Sequence, residues 1–155
     1  MNIRALVLVV ALALTAAAHA ARPFDASSMA TIERAYAGKP FVLAFWSIHC
    51  APCLEDMADW RALRQRYPTV PVILVNTDSP AEEKRVAQAL ARYSPGNVEQ
   101  WAMADDFAER VRYSVDRTWR GELPRTYFFD RAHKVEISSG RIDPAWTDAW
   151  LSRVK

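Results

Sequence analysis

The sequence has 155 residues, of which 51% are hydrophobic and 25% are charged, a length and composition that fit one ordinary globular domain. Its formal net charge of +2 is too small to indicate a nucleic-acid partner. With four glycines and nine prolines, the chain is neither collagen-like nor of low complexity.

Residues 1–20 have the pattern of a cleavable signal peptide. A short positive region precedes the apolar residues 5–18, and Ala18-His19-Ala20 supplies the small residues that signal peptidase requires. The apolar run of 14 residues is shorter than the roughly 17 to 25 that a spanning helix needs. We expect cleavage before Ala21, export to the periplasm and a single domain over residues 21–155. If the segment is not cleaved, it would anchor the domain to the membrane, facing the periplasm.

Hydrophobic periodicity predicts alternating helices and strands in the first part of this domain. Apolar residues at helical spacing indicate helices, whereas short unbroken apolar runs indicate strands that are buried on both faces. Glycine and proline mark the ends of these elements. The predicted elements are a helix over residues 28–37, a strand over 41–46, a helix over 52–67, a strand over 72–75 and a helix over 79–93 with Val86, Leu90 and Tyr93 as its buried stripe.

The second part contains a predicted hairpin and a final helix. The order of elements fits an α/β fold in which helices flank a small, central mixed β-sheet. The predicted elements are a strand or extended segment over 98–103, a short helix capped by Asp105 or Asp106 and carrying Phe107 and Val111, a loop over 114–121, strands over 125–129 and 134–137, and a helix from Asp143 with Trp146, Trp150 and Val154 on its buried face.

The two cysteines, Cys50 and Cys53, directly follow the first buried strand. Export would favour a disulfide between them, but a bridge across two residues stabilises the fold little, because stabilisation grows with loop length. A C-x-x-C pair beside a βαβ pattern instead indicates redox chemistry. Cys50 would be exposed at the helix start, where N–H groups and the helix dipole stabilise a thiolate, and Cys53 would resolve the mixed disulfide.

Two segments resemble the exported TlpA/ResA-like thiol:disulfide oxidoreductases. Residues 45–57 are similar to the pattern F-W-A-x-W-C-x-P-C-x-x-E-M, and residues 121–134 to G-x-P-T-T-F-x-I-D-x-x-G-K. The resemblance spans residues 41–141 and implies a thioredoxin-like fold with C-x-x-C at the N-terminus of the helix after the first core strand. It also implies a reductant without a cofactor that exchanges disulfides with substrate protein cysteines, in cytochrome c maturation or copper-site assembly. A membrane thiol reductant would donate the electrons, and we expect a monomer.

The resemblance assigns further roles around the cysteines. It implies a cis peptide bond before Pro124, which would lie against the C-x-x-C pair while the Leu123 backbone binds an extended substrate segment. Asp56 stands where the family has a proton-transferring glutamate, although a plain solvated carboxylate near the helix start fits almost as well. Trp46 is expected to pack beside the rim of the site and to contribute to substrate binding. Arg125 replaces the usual threonine and would favour acidic partner segments.

His49 replaces the tryptophan that usually precedes the first cysteine. Its imidazole could favour the Cys50 thiolate, carry protons or bind metal, or it could be a loop histidine with no special role. Together with Cys50 and Cys53 it could bind Cu(I) or Zn(II), which gives a copper-binding, metallochaperone-type module as the alternative function. A catalytically silent docking domain is a third interpretation, and the presence of both cysteines and Pro124 argues against it.

Overall fold

Two neighbouring strands in which every residue is buried form the centre of the protein. The computed structural model describes residues 21–93, 95–104 and 107–155. In it, β2 (Phe41–Trp46) and β3 (Val72–Asn76) pair in parallel. Their unbroken apolar runs predict this burial on both faces.

The remaining elements extend the sheet on both sides and cover its two faces. The other strands are β1 (Arg22–Phe24), β4 (Glu99–Met103), β5 (Arg125–Phe129) and β6 (Val135–Ser139), and the helices are α1 (Ser28–Ala35), α2 (Ala51–Arg66), α3 (Glu83–Tyr93), α4 (Ala108–Val115) and α5 (Pro144–Val154). A short 3-10 turn, Pro80–Glu82, precedes α3.

The six strands form one mixed sheet in the order β1-β4-β3-β2-β5-β6. β1, β4, β3 and β2 are parallel to one another, whereas β5 and β6 are antiparallel to their neighbours. The α/β architecture with a central mixed sheet and flanking helices is therefore confirmed.

Each face of the sheet has its own hydrophobic core, because side chains alternate along β2. Val42, Ala44 and Trp46 face a core that contains residues of α2 and α5. Phe41, Leu43 and Phe45 face the opposite core, to which α1 and α4 contribute. The cysteines follow the carboxyl end of β2, on the face of the sheet that packs against α2 and α5.

Most of the predicted elements are confirmed to within a few residues, and four details differ. The loop predicted over 114–121 begins two residues later than predicted, because α4 continues to Val115. Phe107, which was predicted within this helix, is instead its N-cap residue. The predicted cap residues Asp105 and Asp106 lie outside the described residues, as do residues 1–20 and Ser94. Trp146 is 37% exposed rather than in the core.

The α3 stripe is the fourth difference. Val86, Leu90 and Tyr93 pack against the core but stay only partly buried. A groove of about 480 Å³ lies between α3 and β4. The helix therefore covers its part of the sheet incompletely. None of the helices formed by the described residues is long and apolar enough to cross a membrane.

β1 was not predicted, because three residues are too few to show a strand period. Its last residue, Phe24, is fully buried. The Phe24 ring forms T-shaped contacts with Phe45 and Trp101, at centroid distances of 5.5 and 5.8 Å. This side chain therefore anchors the edge strand in the core, in addition to the backbone pairing of β1 with β4.

We expect Phe24→Ala to lower the free energy of unfolding by about 3 to 5 kcal/mol, because it removes a fully buried ring and leaves a cavity. Urea unfolding of the oxidised protein measures the change. Arg22→Ala in the same strand removes an exposed ion pair with Glu99 and a cation–π contact with Trp101, and should cost no more than about 2 kcal/mol. Equal effects of the two variants would contradict the anchoring role of Phe24.

Candidate active site

The two cysteines lie at the start of α2 and form a disulfide. Cys50 is the N-cap residue, and its sulfur accepts a hydrogen bond from the Cys53 N–H at 3.2 Å. Pro52 occupies the first turn, where its missing N–H donor is tolerated. Cys50 is partly exposed, whereas Cys53 is only 1% exposed. The outer sulfur can therefore meet a partner while the inner one is covered.

A polar cluster behind the loop holds the first cysteine in place. The Asp78 carboxylate accepts hydrogen bonds from the Ser47 hydroxyl at 2.5 Å, the Ile48 N–H at 2.8 Å and the Asn76 amide at 2.7 Å. The Ser47 carbonyl in turn accepts the Cys50 N–H at 3.2 Å. Sequence reasoning missed this cluster, although polar residues at the carboxyl end of a buried strand were a signal for it.

The peptide bond between Leu123 and Pro124 is cis, as the resemblance implies. Pro124 and Cys53 line the same small cavity, so the proline lies beside the cysteine pair. The Pro124 carbonyl accepts a hydrogen bond from the Gly140 N–H at 2.9 Å. Leu123 is partly buried and contacts both hydrophobic cores.

Asp56 faces the cysteines from one turn further along α2. Its carboxyl group is buried, with the residue 2% exposed, and it accepts hydrogen bonds from Arg141 Nε at 3.2 Å and from the Ile142 N–H at 3.4 Å. Burial raises the pKa of Asp56 to about 6, although these two donors act in the opposite direction. The alternative of a solvated carboxylate is therefore wrong. Glu55, on the outer side of the helix, forms an exposed ion pair with Arg141.

Arg125 does not point towards the cysteines. Its side chain is buried and pairs with Asp116 at 2.5 Å and with Glu122 at 3.1 Å. Burial acts to raise the pKa of Asp116, but hydrogen bonds from Thr118 and Arg125 lower that pKa to about 2. This position does not support the expected contact with acidic partner segments, because the guanidinium is already neutralised inside the protein.

Trp46 is buried rather than exposed at the rim. It is 3% exposed and lines the cavity behind Cys53. Its indole is therefore an internal wall of the site, and a direct contact with substrate would need a different conformation.

His49 belongs to a cluster of side chains that could hold a metal ion. Its Nε2 atom is 2.8 Å from a carboxylate oxygen of Glu82, which also pairs with Arg85 at 2.6 Å. Ligand atoms of His49, Asp78 and Glu82 lie within 4.8 Å of one another and could hold a metal ion. The predicted set of His49 with both cysteines is not assembled in this oxidised state, since the two sulfurs are bonded to each other.

Solved structures with this fold include several disulfide-exchange proteins. A secreted Mycobacterium tuberculosis disulfide oxidoreductase homologous to Escherichia coli DsbE is 15% identical, with a TM-score of 0.62, over 77% of this chain and 85% of that chain. A thioredoxin-family thiol:disulfide interchange protein from Chlorobium tepidum is 14% identical, with a TM-score of 0.64, over 79% and 83%. StoA from Bacillus subtilis is 15% identical, with a TM-score of 0.56, over 74% and 83%.

Fold and site together define a protein of the thioredoxin-like class with a C-x-x-C disulfide at the start of α2. The chain belongs to the AhpC/TSA family, whose model matches residues 17–138. No curated protein matches the chain. The thioredoxin-like fold that the two motifs imply is thereby confirmed.

The buried Asp56 predicts a pH-dependent stability. Because its native pKa of about 6 lies above the usual value near 3.8, the native state keeps a proton that the unfolded state releases between these two values. Stability therefore falls as pH rises through this window. Asp56→Asn should remove that fall, which amounts to roughly 3 kcal/mol at most.

Urea unfolding of the oxidised protein at both ends of the window measures this difference. Glu55→Gln is the matched control, because it removes an exposed carboxylate from the same arginine and should keep the wild-type slope. An Asp56→Asn protein with the wild-type slope would show that burial of this carboxyl group does not cause the pH dependence.

Proposed function

We propose that the protein is an exported thiol:disulfide oxidoreductase that reduces disulfides in substrate proteins through a mixed disulfide on Cys50. The observation that carries this proposal is the unequal burial of the two cysteines at the start of α2. An accessible sulfur beside helix N–H groups suits the attacking role, and a covered sulfur three residues later suits the resolving role.

The reaction starts from the dithiol form. The Cys50 thiolate attacks one sulfur of a substrate disulfide, which breaks that bond, forms the mixed disulfide and releases the other substrate sulfur as a thiolate. Cys53 then loses its proton and attacks the Cys50 sulfur, which releases the second substrate thiolate. Two electrons pass to the substrate, and the Cys50–Cys53 disulfide seen here is the product form.

A membrane dithiol carrier would return the protein to the dithiol form by the same exchange in reverse. The substrates would be exported proteins with reactive cysteines, such as an apocytochrome c or a copper-site assembly factor. An extended substrate segment would lie along the Leu123 backbone, next to Pro124 and the partly exposed Cys50. Nothing in this exchange requires a bound cofactor or a second copy of the chain, so we propose a monomer.

Export is supported by the signal-peptide pattern of residues 1–20 and by the Mycobacterium tuberculosis protein of the same fold, which is described as secreted. A mature protein that begins at Ala21 in the periplasm would fit cleavage. A full-length protein in the membrane fraction would instead indicate an anchored form that faces the periplasm.

The direction of electron flow can be tested by the reduction potential of the Cys50–Cys53 pair. We expect a value near that of thioredoxin, about −270 mV, because a reductant must hold its electrons weakly. Equilibration in a dithiothreitol redox buffer measures it. A value near about −120 mV, that of a strong oxidant, would overturn the reductant role but leave disulfide exchange intact.

The order of attack can be tested by trapping. Cys53→Ser keeps the attacking sulfur but cannot resolve the mixed disulfide, so adducts of exported proteins should accumulate. Non-reducing electrophoresis with mass spectrometry detects them. Cys50→Ser is the matched control and should give few adducts, because its remaining thiol is buried. Equal trapping by the two variants would contradict the assigned order.

A further inference from the structure

A small cavity lies directly behind the buried cysteine, between the first turn of α2 and the start of β5. Cys53, Asp56 and Thr126 line it, and its other walls include Pro124 and Ala44. Its volume is about 10 Å³, close to the smallest space that admits one water molecule. The cavity is thus lined by a redox cysteine, an acidic residue and a threonine.

The Thr126 hydroxyl is the unexplained member of this group. Thr126 is 1% exposed, and within the described part of the chain its Oγ1 atom has no hydrogen-bond partner. Buried hydroxyls without a hydrogen bond are costly, so native proteins pair them with protein groups or ordered water. Ala44, opposite Thr126 in the pairing of β2 with β5, is small and leaves the space open.

The Asp56 carboxylate can also bond a molecule in this cavity. One of its oxygens accepts a hydrogen bond from Arg141, and the other accepts one from the Ile142 N–H. Each carboxylate oxygen has a further lone pair. A single water molecule could therefore form one hydrogen bond with the Thr126 hydroxyl and donate another to the Asp56 carboxylate. These two groups are the polar partners that a buried water molecule needs.

We propose that Thr126 is a positioning residue whose hydroxyl holds one water molecule in this cavity, on the path of the Cys53 proton to Asp56, the residue to which the family resemblance assigns proton transfer. The proposal rests on the disulfide exchange described above and adds the residue that positions the water for its second step. Thr126 would act through the water and would not touch the substrate.

The chemical need for such a path arises from burial. A thiolate, not a thiol, attacks a disulfide, and Cys53 is covered from solvent. In the resolving step the Cys53 S–H bond breaks, its proton moves to the water, and the water gives a proton to Asp56. The Cys53 thiolate then bonds to the Cys50 sulfur, and the substrate sulfur leaves with the electron pair of the broken mixed disulfide.

The two steps can be separated with one equivalent of DTNB, an aromatic disulfide whose thiolate is coloured when released. The reduced protein should release one thiolate rapidly when Cys50 attacks and a second when Cys53 resolves the mixed disulfide. Thr126→Val should slow the second phase by about tenfold, the loss expected when one hydrogen bond in the path is removed. The first phase should stay within about twofold of wild type.

Further variants make the result specific. Thr126→Ser keeps the hydroxyl and should restore the second phase. Thr147→Val replaces another fully buried threonine whose hydroxyl lacks a partner in the described residues, on α5, and should leave both phases unchanged. In an Asp56→Asn background, Thr126→Val should have no additional effect on the second phase, because both side chains serve the same path. Thr126→Ala serves in place of Thr126→Val if the latter does not fold.

The outcomes distinguish this inference from the proposed function. A normal second phase in Thr126→Val, failure of Thr126→Ser to restore it, or additive effects with Asp56→Asn would overturn the role of Thr126 and leave disulfide exchange standing. A wild-type protein that releases no thiolate from DTNB would overturn the proposed function itself.

Discussion

The buried carboxylate of Asp78 joins the cysteine loop to the central sheet, and the geometry of the site depends on this connection. It accepts hydrogen bonds from Ser47, from the Ile48 backbone and from Asn76, so that the end of β3 and the loop between β2 and α2 share one acceptor. Hydrogen bonds to a charged acceptor are stronger than neutral ones. Because Ser47 also accepts the Cys50 N–H, the start of α2 is fixed relative to the strands.

The alternation of side chains from Pro124 into β5 separates the residues beside the cysteines from a buried ion pair on the other face of the sheet. Pro124 and Thr126 face the cavity behind Cys53. Arg125 and Tyr127 face the other side, where the guanidinium donates a hydrogen bond to the tyrosine hydroxyl at 3.0 Å. A change of residue type directly after the proline can therefore alter the buried ion pair without altering the site, which explains how arginine is accommodated where related proteins usually have threonine.

The sequence predicted those parts of the fold and the site that depend on local patterns. Buried strands, the helix start at the cysteines and the proline motif are all encoded within a few neighbouring residues. Asp56 was placed on the correct side of α2 by helical spacing, but its burial depends on Ile142 and Arg141, which are distant in the chain. The role of Asp78 and the environment of Thr126 arise from the pairing of strands, a register that one sequence does not reveal.

The incomplete cover that α3 gives to the sheet has a consequence for the motions of the native protein. A helix with no fully buried side chain loses less apolar contact on detaching than one seated in the core, so we expect α3 to be among the regions that open locally at low free energy. The short turn that leads into α3 carries Glu82, the hydrogen-bond partner of His49. Transient detachment of α3 would therefore release the imidazole next to Cys50 while the strands below remain paired, which makes the rim of the site more mobile than its base.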